Sequence, residues 1–326
     1  MSRWPRSRDM TTVSIVDAHV KGVVDKDGRK YYPLKAAQRR PIACGLRNPF
    51  EAGATQGQGS ATYDADQMLK LNTPAGMKRL QPLIGAYVIN LDSSSKRWAE
   101  VSSQATLAGM QIDRVPGVDG NAIPATQRSG FNEKAFLRSN GRQMLPGEYG
   151  CYRAHIRALE VFLSSDYENA IIMEDDVELR HDFTLRAAAI LRAVPSAEVV
   201  KLLNHRSKWC RTVAVSEYGD EVGRCLHGPQ GSAACYLVTR KGAGKLLECA
   251  DNIEFPYDMT LERGWKTGVS IYTVRQNIVE LSARSAMSQI ADRAQYRAVK
   301  LRGARKLATH FLRVIEYARR IRYALS

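Results

Sequence analysis

Asn169-Ala-Ile-Ile-Met-Glu-Asp-Asp-Val-Glu-Leu179 sets an apolar run directly against three consecutive carboxylates, Glu174, Asp175 and Asp176. The run reads as a buried strand, and the carboxylates mark its exit. Side chains alternate along an extended chain, which predicts Glu174 and Asp176 on one face and Asp175 on the other. Carboxylates crowded at a strand end repel one another unless a proton or a cation intervenes. Hard oxygen ligands suit Mg²⁺, Mn²⁺ or Ca²⁺, ions that commonly complete their shell with substrate phosphates. An acidic turn without a ligand would use the same residues.

Upstream, Ile84-Gly-Ala-Tyr-Val-Ile-Asn-Leu91 is a second buried-strand candidate, closed by Asp92-Ser-Ser-Ser95. A helix is predicted from this Ser cluster through Trp98, Val101 and Leu107, stopping at Gly109. A strand follows over residues 111–115, then the loop Pro116-Gly-Val-Asp-Gly120. Pro146-Gly-Glu148 opens a helix reaching about Ser164. Beyond the carboxylates come a helix to residue 193, strands at 199–203 and 233–239, and a helix at 241–249. Alternating strands and helices predict an α/β sheet with helices on both faces. Ligands of such sheets collect at the carboxyl ends of strands, where Asp92, Asp119 and Glu174 to Asp176 fall.

A chain of 326 residues, 44% hydrophobic, holds one large α/β domain with appendages or two smaller domains. No run approaches the roughly 18 apolar residues of a membrane span. The basic N-terminus is followed by no apolar h-region, so no signal peptide is read. Six cysteines, at 44, 151, 210, 225, 235 and 249, form no CxxC pair and no zinc spacing, which favours a reduced, cytosolic protein. Residues 1–80 differ in character. A hairpin is a candidate around Asp25-Lys-Asp-Gly28, and residues 52–61 are linker-like, so this segment is expected to be poorly ordered or loosely attached. The formal charge of +15 is uneven: residues 290–326 hold ten basic side chains against Asp292 and Glu316.

Four pieces stand in order: Val88-Ile-Asn-Leu-Asp92 with Lys96 and Arg97; Gly117-Val-Asp-Gly120; Gly147-Glu-Tyr-Gly-Cys-Tyr-Arg-Ala-His155; and Ile171-Ile-Met-Glu-Asp-Asp-Val177. Together they resemble glycosyltransferase family 25, the lipopolysaccharide-type galactosyltransferases, over about residues 84–288. The resemblance implies a GT-A-like α/β fold, a UDP-sugar donor and Mn²⁺ or Mg²⁺. It also implies transfer, with inversion, of a sugar (galactose favoured) to a lipopolysaccharide or other cell-surface oligosaccharide. It divides the chain into an extension (1–80), a glycosyltransferase domain (81–288) and a basic amphipathic helix (289–326).

Carried onto this chain, the acidic motif makes Glu174 and Asp176 the metal ligands. Asn90 and Asp92 are candidates for a nucleobase or ribose edge, although Asp92 could equally cap the next helix. Arg97 is placed to pair with a phosphate, or to be solvated. Asp119, between two glycines, is a ligand-approach candidate or a turn residue. Gly231 and Ser232, in Gly228-Pro-Gln-Gly-Ser-Ala-Ala-Cys-Tyr236, would allow close approach of a sugar; an ordinary loop explains them too. His155 shares a helix face with Glu148 and Cys151 and is read as substrate-orienting, as structural, or as an acid or base. The family usually has Ser before this His; here Ala154 removes that hydroxyl. Single displacement needs a base for the acceptor proton. Asp258, in a Pro-x-Asp segment, is the candidate, with Asp175 behind it. Ser285 lies in what resembles a closing motif, where Arg275 stands at a position commonly Pro.

Leu307, Phe311, Val314, Ala318 and Ile321 recur at helical spacing, flanked by Arg305, Lys306, Arg313, Arg319 and Arg320. A basic amphipathic helix suits an anionic membrane surface, and hence a lipid-linked acceptor on the inner face of the cytoplasmic membrane. The other reading is a docked terminal helix with a solvated basic face. Two other functions fit the residues less well. A metal-dependent phosphoesterase wants more His and Asp ligands than six scattered histidines give. For a nucleic-acid-binding protein, no binding motif accompanies the basic tail, so no nucleic-acid partner is expected.

Overall fold

The computed structural model describes residues 23–24, 30–31, 84–282 and 293–326. The chain divides into two units, Met1–Ala75 and Gly76–Ser326. In the first, β1 (Val23–Val24) pairs antiparallel with β2 (Lys30–Tyr31), at the place expected for a hairpin. The linker-like stretch and Ser285 lie outside the described residues.

The second unit is built on an eight-stranded sheet. Its strands are β3 (Ile84–Asn90), β4 (Asp113–Pro116), β5 (Asn169–Glu174), β7 (Val199–Lys201), β8 (Cys210–Val215), β9 (Glu221–Cys225), β10 (Cys235–Thr239) and β11 (Ile271–Val274), in the order β4-β3-β5-β10-β7-β11-β9-β8. A separate pair joins β6 (Val177–Glu178) to β12 (Glu280–Leu281). Strands β4, β3 and β5 run parallel, whereas β10 runs antiparallel to both β5 and β7. Both faces of the sheet are covered, as expected. Along β5, Ala170 and Ile172 join one core while Ile171 and Met173 join the other. The first core packs under α3 (Pro146–Leu163) and α5 (Arg240–Glu248), through Tyr152, Leu159, Phe162 and Leu246. The second packs under α1 (Ser95–Leu107) and α4 (Phe183–Ala193), through Val101, Phe183 and Ile190. Burial on both faces explains why β5 reads as a continuous apolar run.

This topology gathers chain segments at one sheet edge. The carboxyl ends of β3, β4, β5 and β7 point the same way, and antiparallel β10 begins there, so its preceding loop at 228–234 joins them. The loop at 117–120 is seated on the first turn of α3. A Cβ on Gly120 would lie 1.7 Å from the Pro146 carbonyl oxygen, and one on Gly150 would lie 2.3 Å from that of Val118. Only glycine permits this approach. We expect Gly120→Ala to lower stability by about 1–3 kcal/mol through overpacking, read as a fall in thermal midpoint; an unchanged midpoint would show that the loop is free to move.

Helix α2 (Glu133–Asn140), the β8–β9 hairpin and β11 are not among the elements expected from the sequence. Strand β8 lies at the sheet edge with Val213 and Val215 exposed, so no buried run announces it. Cys210 and Cys225, opposite each other in the β8–β9 register, are joined by a disulfide. That corrects the expectation of reduced cysteines for this pair, whose proximity depends on a hairpin that cysteine spacing does not reveal.

Short turns α6 (Tyr257–Thr260) and α7 (Gly264–Thr267) and helix α8 (Arg293–Ala298) precede the terminal helix α9 (Leu307–Leu325). Helix α9 docks on the domain. Arg320 Nη2 lies 3.0 Å from Glu262 Oε2, and Glu316 Oε2 lies 2.7 Å from Arg263 Nε. Tyr323 Oη donates to the Val269 carbonyl and accepts from the Ile271 amide. The docked face is polar and aromatic. Most of the apolar stripe looks the other way, with Phe311 and Val314 each 68% exposed and Leu307 and Ala318 also exposed, while Ile321 is half-buried.

Candidate active site

Two cavities meet at the carboxyl edge. The first, about 390 Å³, lies between the turn after β3, the 117–121 loop and the start of α3. The second, about 450 Å³, is bounded by Arg142, Glu148, His205, the 229–234 loop, Asp258 and Tyr296. Cys151, Glu174 and Asp176 line both. A group bound in one cavity can therefore meet a group bound in the other beside this acidic cluster.

Strand β5 ends at Glu174, and Asp175 and Asp176 occupy the turn before β6. Alternation stops with the strand, so all three carboxylates line the first cavity. The expectation that Asp175 faces away is corrected. Asp175 is held rigidly: Asn90 Nδ2 donates to Oδ2 at 2.6 Å and Arg97 Nη1 to Oδ1 at 3.2 Å. Burial pushes its pKa up even though both partners oppose the shift. Asp176 has weaker support, with Arg97 Nη1 3.9 Å away and its buried Oδ1 without a hydrogen-bond partner among the described residues. Burial, then the charges of Glu174 and Asp175, push Asp176 up to about 7, and Arg97 only partly offsets them. An orphaned carboxylate oxygen amid excess negative charge fits a divalent cation held by Glu174 and Asp176.

The other expected site residues divide. Arg97, Asp119 and His155 line the first cavity; Gly231, Ser232 and Asp258 line the second. Asn90 and Asp92 line neither. Asn90 is buried, with its amide spent on Asp175, Ser94 and Arg114, so it positions Asp175 rather than reading a base. Asp92 lies beyond the strand end, 83% exposed and paired with Arg114 at 2.6 Å. Asp119 Oδ1 accepts from the Asn121 amide, which fixes the turn beside the cavity. His155 is fully buried, stacked on Tyr257 at 4.3 Å, with Nδ1 3.3 Å from Tyr236 Oη and Nε2 3.3 Å from Glu174 Oε1. It orients Glu174 from behind.

Asp258 faces the second cavity and accepts from the Met259 amide at 2.8 Å. Burial and the neighbouring Glu262 raise its pKa against the pull of Lys201. Sequence reading missed what holds the loop opposite. Glu262 accepts from the amides of Gln230 and Gly231, while Lys201 Nζ bridges Glu262 at 2.9 Å and the Gly231 carbonyl at 3.0 Å. Gly231 and Ser232 both hold positive φ, at 74° and 66°. The available signal was Lys201 itself, a cation within Val-Val-Lys-Leu-Leu.

The family model described as glycosyltransferase family 25 (LPS biosynthesis protein) matches residues 84–261, more than half of the chain. The chain belongs to glycosyltransferase family 25. A glycosyltransferase 25 family member of Anopheles gambiae is 25% identical over 174 residues, covering 49% of this chain and 28% of that protein. Its Aedes aegypti counterpart is 23% identical over 225 residues, covering 62% and 35%. Procollagen galactosyltransferase 2 of Mus musculus is 22% identical over 117 residues, covering 35% and 19%. This family 25 chain thus spans between 19% and 35% of the length of these relatives. A crystal structure of a glycosyltransferase involved in the glycosylation of the major capsid of PBCV-1 aligns at a TM-score of 0.30 and 12% identity, covering 57% of this chain and 77% of that one. The matched segment contains β3 through α6, and with them the whole lining of the first cavity and most of that of the second; Leu281 and Tyr296 lie beyond it.

Proposed function

We propose that this family 25 glycosyltransferase moves a sugar, galactose by preference, from a UDP-sugar to a hydroxyl of a lipopolysaccharide or other cell-surface oligosaccharide, inverting the anomeric carbon. The observation that carries the reading is the pair of cavities sharing Glu174 and Asp176. UDP-sugar occupies the first cavity, with its diphosphate toward the carboxylates, and the acceptor occupies the second. Bound by Glu174 and Asp176, Mn²⁺ or Mg²⁺ would neutralise diphosphate charge as the leaving group departs. Arg97, fixed by Asp175, adds positive charge at the same edge. In the second cavity Asp258 takes the proton from the acceptor hydroxyl as its oxygen bonds to the anomeric carbon and the bond to UDP breaks. A carboxylate raised by burial suits that task better than an ordinary surface Asp. The test is incubation with a panel of UDP-sugars and Mn²⁺, scoring donor hydrolysis and the configuration of any glycoside formed. Asp258→Asn should abolish transfer while leaving UDP binding unchanged; undiminished transfer would remove Asp258 as the base.

The acceptor reading extends to location at the inner face of the cytoplasmic membrane. Among the described residues no helix is long and apolar enough to cross a membrane. Helix α9 instead turns Leu307, Phe311, Val314 and Ala318 outward, within a segment of ten basic against two acidic residues. Each cation near an anionic surface contributes about 1 kcal/mol. Sedimentation with liposomes should rise with anionic lipid and fall with salt. Phe311→Glu combined with Val314→Glu should abolish it without affecting UDP binding. Retained sedimentation in that variant would exclude the stripe as the anchor.

A further inference from the structure

Cys151, His155 and Glu174 place one sulfur, one nitrogen and one oxygen ligand atom within 4.8 Å of one another at the junction of the cavities. Cys151 Sγ lies 3.9 Å and His155 Nε2 3.3 Å from the same atom, Glu174 Oε1. Zinc bonds of about 2.3 Å to sulfur and 2.0–2.1 Å to nitrogen or oxygen separate tetrahedral ligands by roughly 3.3–3.6 Å. The two distances to Glu174 Oε1 come within about 0.3 Å of that range, and the third pair, Cys151 Sγ and His155 Nε2, lies within 4.8 Å. Residues 151 and 155 sit one helical turn apart on α3, and Glu174 arrives from the end of β5, so sequence spacing showed no zinc pattern.

Two further features suit a metal site. His155 Nδ1 faces Tyr236 Oη at 3.3 Å, and Tyr236 Oη in turn lies 3.0 Å from Tyr257 Oη. A ligating imidazole characteristically hands its other ring nitrogen to an oxygen partner, which fixes the tautomer and leaves Nε2 to bind. The fourth direction is open, because Cys151 and Glu174 both line the cavities. We propose that Cys151, His155 and Glu174 form a site for a thiophilic divalent cation of the Zn²⁺ class. It is distinct from the all-oxygen pair of Glu174 and Asp176. On binding, the Cys151 thiol gives its proton to solvent as the metal–sulfur bond forms. Glu174 belongs to both ligand sets, so a soft ion here competes with a hard one there.

The site can be read without nucleotide or sugar, so its failure would leave the glycosyl-transfer reading standing. The 326-residue chain titrated with Co²⁺, as a spectroscopic stand-in for Zn²⁺, should develop thiolate-to-metal charge-transfer absorption at one equivalent, and Zn²⁺ should bleach it. Cys151→Ser should remove the band and weaken Co²⁺ binding at least tenfold, whereas Cys249→Ser should change neither. Glu174→Gln should weaken binding while keeping the band. A folded wild-type protein without the band, or a band that survives Cys151→Ser, overturns the proposal.

Discussion

UDP should bind this protein measurably only with Mn²⁺ or Mg²⁺ present, and Asp176→Asn should abolish that dependence. Asp176 carries the orphaned buried oxygen and is the carboxylate that crowding pushes to about 7. Replacing it by an amide removes both a ligand and the charge that makes the cation welcome. A loss of at least about 100-fold in affinity, roughly 2.7 kcal/mol, is expected by calorimetry, matched by wild-type protein in EDTA. Asp175→Asn should weaken UDP by a different route, since Asp175 fixes Arg97 rather than presenting a bare oxygen. Its loss should be smaller and should survive as a metal-dependent residual affinity. Equal affinity for UDP with and without metal would end the metal role of the cluster.

Glu262→Gln should cost more stability than any surface change in the molecule. Glu262 and Lys201 are each 1% exposed, and Arg320 reaches the same carboxylate. Removing one member of a buried pair leaves uncompensated charge and costs about 3–5 kcal/mol, on the order of 10 °C in thermal midpoint for a domain of this size. Adding Lys201→Met should recover part of that loss, as coupled neighbours do. The pH dependence has a fixed sign. Burial alone would raise the Glu262 pKa, but the charges of Lys201 and Arg320 outweigh it and hold the carboxyl below its ordinary value. Its contribution is therefore present above the ordinary carboxylate range and disappears as pH falls through the folded value. The gap between wild type and Glu262→Gln should narrow in acid. A gap that is constant with pH would show that shape, not charge, is lost.

The reach of sequence reasoning followed the range of the forces involved. Strands β3, β5 and β10 and helices α1, α3, α4 and α5 were legible because burial on one or both faces imposes a local pattern. The acidic turn after β5 was legible for the same reason, as the polar end of an apolar run. What depended on distant partners was not. Asn90 and Asp92 look equivalent in sequence, yet one packs inward against Asp175 and the other passes the strand end into solvent. Helix α9 shows a clear apolar stripe, but its docking runs through Arg320, Glu316 and Tyr323 on the opposite side, which no periodicity of hydrophobic residues can report.

The grip of Arg320 on Glu262 also sets a timetable for synthesis. The lining of the first cavity comes entirely from residues 89 to 176, whereas the loop walling the second is held by Glu262 and, through it, by residue 320. At about 5–20 residues per second, roughly 7–30 s of translation separate the acidic cluster from the side chain that completes the opposite wall. During that interval the chain holds the residues that line the first cavity and lacks the side chain that anchors the opposite wall. A chain ending before residue 320 would keep every residue lining the first cavity and lose the cation that grips Glu262.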